Sequence, residues 1–203
     1  MNASRFLPED SYWVDPQGLR AKQFTCGFCS HLVASAKGFG ILQQGYPGAP
    51  LRGIYICTNC GGPNFFTLDG SQYPSAPIGR PVDSVPDPLN TLYEEARRCT
   101  TTSCSTAAVL LCRKMLMNIA VANGAKEGLK FIEYVEFLST RGYVPPNGKH
   151  WVDHIRKRGN EATHEIALMA ESDARDLLTF IEMLLRFIYE FPSMVPPPPA
   201  KSS

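Results

Sequence analysis

Cys26-Gly27-Phe28-Cys29 and Cys57-Thr58-Asn59-Cys60 repeat one spacing, two thiols separated by two residues, so that each pair closes within a single tight turn. Two such turns together supply four thiolates, the number and kind of ligand that tetrahedral Zn²⁺ takes in a structural site. A catalytic zinc keeps one position open, whereas a complete thiolate set fills all four. The expectation is therefore one structural zinc per chain, held by Cys26, Cys29, Cys57 and Cys60. Disulfides are the competing use of cysteine. Against them stand the odd total of seven cysteines, the lack of an apolar signal stretch after Met1, and a length beyond that of small secreted scaffolds. His31 follows Cys29 by two residues and is expected at the surface or hydrogen-bonded beside the ligands, since four sulfurs already complete the set.

A second group of reactive types is concentrated in Ile155-Arg156-Lys157-Arg158-Gly159-Asn160-Glu161-Ala162-Thr163-His164. One account is purely structural: cations complement a helix C-terminus, Gly159 ends the helix, and Asn160 and His164 satisfy backbone groups in the turn. The other is chemical. Arg158 offers a fork of donors that matches phosphate oxygens, His164 titrates near neutral pH and serves as base or acid, and Asn160 orients either partner. Arg156, Lys157 and His154 would line the same cleft, His154 because it precedes Arg158 by one helical repeat. Lys149 extends this basic patch, and His150 is read as a surface residue. Arg113 lies in an apolar helix stretch, either beside Glu133 or Glu136 or directed to the surface. Cys99, Cys104 and Cys112 have no matching ligand partners and are read as buried small hydrophobes.

The elements that must position these groups differ between the two halves. Phe24-Thr25 and Leu32-Val33 bracket the first Cys pair, and Ile54-Tyr55-Ile56 and Phe65-Phe66-Thr67 bracket the second; such short β-branched and aromatic runs around turns predict strands. Gly61 and Gly62 give room for amides to turn toward sulfur. Residues 1–70 thus read as a small β zinc ribbon. Residues 71–87 are rich in proline and read as an extended connector, neither helix nor central strand. From 88 to 192 the period becomes helical: Leu92 to Cys99; a long helix to about Ala122, capped by Ser103 or Ser105 and ended by Asn123-Gly124; Phe131 to Leu138, closed by Arg141-Gly142; Lys149 to Arg158; and a last helix capped by Ser172. That last helix sets Leu177, Leu178, Ile181, Leu184, Leu185 and Ile188 in one stripe. Helices joined by short loops predict an all-α bundle. Residues 193–203, again proline-rich, read as a disordered tail. The fold class is α+β: a β zinc ribbon followed by a helical bundle.

Composition narrows the partners. With 203 residues, a formal charge of +1 and 44% hydrophobic residues, the chain has no general attraction to nucleic acid or to a membrane surface, so any such partner is met through a local patch. No apolar run reaches the length of about 20 residues that spans a bilayer. Reduced thiolates at a zinc site point to the cytoplasm.

The segments IRKRGNEATH, LYEEARRC, AVLLCRKMLMNIA and SDARDLLTFIEMLLRFIYE, spread over residues 88–191, together resemble the bacterial domain-of-unknown-function family 4145, which is grouped with the HEPN superfamily of helical domains. Members of this kind often carry an N-terminal zinc ribbon. The resemblance implies a metal-independent endoribonuclease built on a homodimer, of the toxin or phage-defence sort. Its signature is Arg, four to six residues, then His. Five residues separate Arg158 from His164, but Gly159 stands where the signature usually has a polar residue, which comes one place later as Asn160. Two function classes follow: a ribonuclease cutting RNA with Arg158, Asn160 and His164, or a non-catalytic adaptor or sensor whose ribbon binds nucleic acid or a partner protein.

Overall fold

The short strands predicted around the two Cys pairs form one antiparallel meander. In the computed structural model, which describes residues 12–41, 53–144 and 168–195, β1 (Gln17–Thr25), β2 (Leu32–Gly40), β3 (Gly53–Ile56), β4 (Pro63–Phe66) and β5 (Gln72–Tyr73) lie side by side in chain order. Register pairs Phe24 with Val33 and Tyr55 with Asn64. One face buries Leu19, Phe24, Val33, Tyr55 and Phe66, and three of these rings meet edge to face, Phe24 and Phe66 at 5.2 Å between centroids. Such aromatic pairs add to sheet stability beyond the area they cover. The β1–β2 and β3–β4 turns carry the two Cys-x-x-Cys segments. The chain divides into two compact units, Met1–Pro77 and Ile78–Ser203.

The second unit is helical: α1 (Asp87–Thr101), α2 (Ser105–Ala122), α3 (Phe131–Thr140) and α4 (Glu171–Leu185), the last continuing through a π-helical turn (Arg186–Glu190) into α5 (Phe191–Met194). α2 is the central helix and packs on α1, α3 and α4. Ala108, Cys112, Met115, Leu116 and Ile119 meet Leu177, Leu178, Ile181, Leu184 and Leu185 in the core. By length and composition α2 is the one described helix apolar enough to cross a membrane; half of it is buried inside this unit. The predicted fourth helix, Lys149 to Arg158, lies outside the described residues.

Helix ends follow from local chemistry, with three departures from expectation. Gly124 and Gly142 adopt positive φ and close α2 and α3 as predicted, the following amides of Ala125 and Tyr143 reaching back to Ala120 and Leu138. Neither Ser103 nor Ser105 caps α2: Ser103 takes a left-handed conformation and Ser105 is already helical, leaving Cys104 at the cap position. Ser172 does not cap α4, which starts at Glu171. There the Asp173 carboxylate accepts the Ala170 amide at 2.9 Å, as Glu133 accepts that of Lys130 at 2.7 Å before α3. Ile188 leaves the apolar stripe half-buried because the π-helical turn inserts extra rotation, which carries Glu190 inward instead.

The proline-rich stretch is shared between the units. Gln72–Tyr73 adds the edge strand β5, whereas Ile78 and Val82 sink into the helical core. Proline removes donors, and three of the amides that remain from 78 to 83 find side-chain partners: Ile78 on Thr100 Oγ1, Arg80 on Glu182 and Asp83 on Glu190. Arg97, buried on α1, grips the Glu94 carboxylate with one nitrogen and the carbonyls of Ile78 and Gly79 with the others. Gly79 has φ +75° and passes so close to the Tyr93 hydroxyl that a Cβ would lie 2.9 Å from it. Replacing Arg97 by alanine strips a buried guanidinium from two carbonyls and a carboxylate; it should lower the stability of the helical unit by about 3 kcal/mol, read as an earlier urea midpoint.

Candidate metal centre

Backbone geometry at the two turns aims all four thiols at one point. In the first turn the Ser30 amide bonds to the Cys26 carbonyl and the Cys26 amide to the His31 carbonyl. The second repeats this between Gly61 and Cys57, and between Cys57 and Gly62, each at 2.9 Å. The Phe28 amide then points at Cys26 Sγ and the Gly62 amide at Cys60 Sγ, both at 3.4 Å. Gly62 is required here for space, because a Cβ would press on the Phe28 ring at 2.8 Å and on Cys60 Sγ at 3.2 Å. Gly27 has the same constraint from another side, with the Pro74 carbonyl 2.4 Å from where its Cβ would stand.

The four sulfurs all lie within 4.8 Å of one another. Cys26 and Cys60 are 3.8 Å apart, and Cys29 and Cys57 3.7 Å. A tetrahedron with metal–sulfur bonds of about 2.3 Å has edges of about 3.8 Å, so these two separations match a four-thiolate zinc site. The donor set is soft and complete, without carboxylate or imidazole. Cys26, Cys57 and Cys60 are buried and Cys29 partly so. His31 is exposed, with Nδ1 2.8 Å from the Cys29 carbonyl; it belongs to the turn and not to the ligand set.

Asn64 joins the two turns and was not singled out by the sequence. Fully buried on β4, it accepts the Gly27 amide at 2.9 Å through Oδ1. Its Nδ2 donates to Cys26 Sγ at 3.4 Å and to the Gly62 carbonyl at 3.1 Å. Gln72 on β5 donates to the same Oδ1 at 3.1 Å and to the Thr25 carbonyl at 2.8 Å. One amide thus holds a residue of each turn and one sulfur in fixed relation. Asn59 reaches Cys29 Sγ at 3.5 Å. These donors are the kind that orient thiolate ligands and disperse their charge.

The electrostatics of the metal-free set are uneven. Burial pushes the Cys57 and Cys60 thiols up, and hydrogen bonds only partly offset it. Burial acts the same way on Cys29, but donors from His31, Asn59 and the neighbouring cysteines outweigh it and bring that thiol down to about 6. Cys57 and Cys60, raised by burial, give up protons on binding a cation.

The remaining predicted site residues fall differently. Arg158, Asn160, His164, Arg156, Lys157 and His154 lie outside the described residues, as do Lys149 and His150. Arg113 is not snorkelled to the surface: it is buried over the Phe131 ring, 4.1 Å from the centroid. Of the three helical cysteines only Cys112 is fully buried; Cys104 is exposed because it stands at the cap of α2 and not on its inner face.

Compared with known proteins, the chain matches at residues 94–196 the profile of a family described as Domain of unknown function (DUF4145). No curated protein and no solved structure matches it.

Asn64→Ala leaves the four thiols in place but removes the link between the turns. It should weaken retention of a thiophilic divalent cation about 10- to 100-fold, measured by competition with a chromogenic chelator. Because Cys57 and Cys60 are raised above the ordinary thiol value, binding near pH 7 should release protons, seen as a dependence of calorimetric heat on buffer ionisation. Affinity then tightens as pH rises and falls on acidification.

Proposed function

The chain belongs to the DUF4145 family, and from that premise we propose that it is a zinc-ribbon protein whose helical domain is a metal-independent endoribonuclease of the HEPN type. The observation that carries the activity is the Arg158 to His164 spacing, with Asn160 between them, inside the family-matched stretch. The observation that supports the zinc is four cysteine sulfurs within 4.8 Å of one another, a donor set that would fill a tetrahedral ion and suits a structural role. The ribbon recognises the target or a partner protein, and the helical domain cuts.

The reaction follows from the residue types. An imidazole takes the proton from a ribose 2′-hydroxyl, whose oxygen attacks the adjacent phosphorus; a guanidinium stabilises the added charge on the phosphate oxygens; and a second imidazole, in its protonated form, gives its proton to the departing 5′-oxygen. The products are a 2′,3′-cyclic phosphate and a 5′-hydroxyl. One Arg158 and one His164 per chain supply half of this, so a homodimer brings the second pair across a two-fold axis. Arg156, Lys157 and His154 bind the RNA backbone near the cut. The near-neutral charge of the chain makes general RNA affinity weak and leaves selection to shape and access. The setting is cytoplasmic, in a toxin or phage-defence role.

Gly159, directly after Arg158, favours a second reading, in which the ribbon and a dimeric bundle form a non-catalytic adaptor or sensor. The two readings separate on one assay. Zinc-loaded protein is incubated with mixed cellular RNA in magnesium-free buffer, beside His164→Ala and Arg158→Ala. The ribonuclease reading predicts cleavage with cyclic-phosphate ends, reduced at least about 100-fold in both variants. Intact RNA across several classes, with folded wild-type protein, leaves the adaptor.

A further inference from the structure

Of the seven cysteines, four make the metal centre and Cys112 is sealed in the helical core; Cys99 and Cys104 remain, one at each side of the α1–α2 turn. That turn brings them together. The Cys104 amide donates to the Cys99 carbonyl at 2.9 Å across the left-handed Ser103, whose φ is +60°. This six-residue closure is the helix cap in which the side chains of the first and last residues frequently make contact. With that bond formed, the two Cα atoms can be no further apart than about 6.8 Å, within the range of about 4.4–6.8 Å that disulfides span.

We propose that Cys99 and Cys104 form a dithiol that closes reversibly to an intramolecular disulfide by exchange with small-molecule disulfides, a modification site independent of the metal centre. Cys104 is the accessible member. Its sulfur is exposed and lies 3.6 Å from the Thr102 hydroxyl, which donates to it. Cys99 is partly buried; burial, followed by the proximity of Cys104, raises its thiol, so it stays protonated and waits as the second partner.

The exchange balances in two steps. The Cys104 thiolate attacks one sulfur of the small disulfide, forms a mixed disulfide and expels one small thiolate, which takes up the proton lost by Cys104. Cys99 then gives up its proton as its sulfur attacks Cys104 Sγ, and the second small thiol leaves. Two electrons pass from the two protein thiols to the small disulfide. The backbone hydrogen bond has already closed this loop, so the covalent closure fixes little additional chain.

The test uses the full chain with glutathione disulfide as the probe, acid quench, alkylation under denaturing conditions and mass spectrometry. The wild-type peptide Cys99–Arg113 should be lighter by two hydrogen atoms, show no fragmentation between residues 99 and 104, and carry an alkyl label on Cys112. Cys99→Ser should stop at the mixed disulfide on Cys104. Cys104→Ser should form product at least 10-fold more slowly, with an unchanged thermal midpoint showing that it is folded. A bridge that includes Cys112, a disulfide joining two copies on a non-reducing gel, or wild-type protein that halts at the mixed disulfide as Cys99→Ser does would overturn the assignment.

Discussion

Convergence of four cysteine sulfurs within 4.8 Å is the constraint on which the N-terminal unit rests. Apart from those cysteines, its core among the described residues consists of Leu19, Phe24, Val33, Tyr55 and Phe66, a small apolar content for a five-stranded sheet. Modules of this size are commonly stapled by a metal or disulfides because surface burial alone falls short. The proposed zinc would act as that staple, fixing the β1–β2 turn against the β3–β4 turn. Without a cation the same convergence is unfavourable for thiolates, since like charges would crowd a partly buried space; burial of Cys57 and Cys60 already resists their ionisation. Asn64 reduces that conflict with neutral donors and acceptors, one to a sulfur and others to backbone on both turns.

The helical unit solves a different problem with charges. Its apolar core is far more extensive, but the chain enters through a proline-rich stretch of backbone whose polar groups need partners. Arg97, Glu182, Arg186 and Glu190 provide them. Arg186 bridges the two carboxylates, bonding Glu182 at 3.0 Å and pairing with Glu190, and it also reaches the Pro81 carbonyl. The π-helical turn is part of this arrangement, because it is what rotates Glu190 from the outer face toward the Asp83 amide. The family match begins at residue 94, within α1, so the entering strand precedes the matched region while packing as part of the same unit.

Sequence reasoning recovered what is carried by local spacing. The doubled Cys-x-x-Cys, the β-rich runs around it, the apolar stripe from Leu177 to Leu185 and the glycine stops at 124 and 142 each state their role within a few residues. It missed what depends on distant partners. Asn64 is an ordinary strand residue until Gly27 stands opposite it, 37 positions away. Gly27 looks like a flexible spacer, yet the nearby Pro74 carbonyl dictates it. The polar clamp on residues 78–83 was hidden because Glu182 and Glu190 read as the solvent side of a helix. Ser172 is a cap by residue type alone; Asp173, reaching back from the third position, does the capping.

Zinc K-edge X-ray absorption on protein purified without added metal reads the proposed all-sulfur site of the N-terminal sheet directly. The expected spectrum is that of one zinc per chain with a single shell of four sulfurs at about 2.3 Å. Nitrogen or oxygen in that shell, or a protein that keeps its sheet with no bound metal, would contradict it.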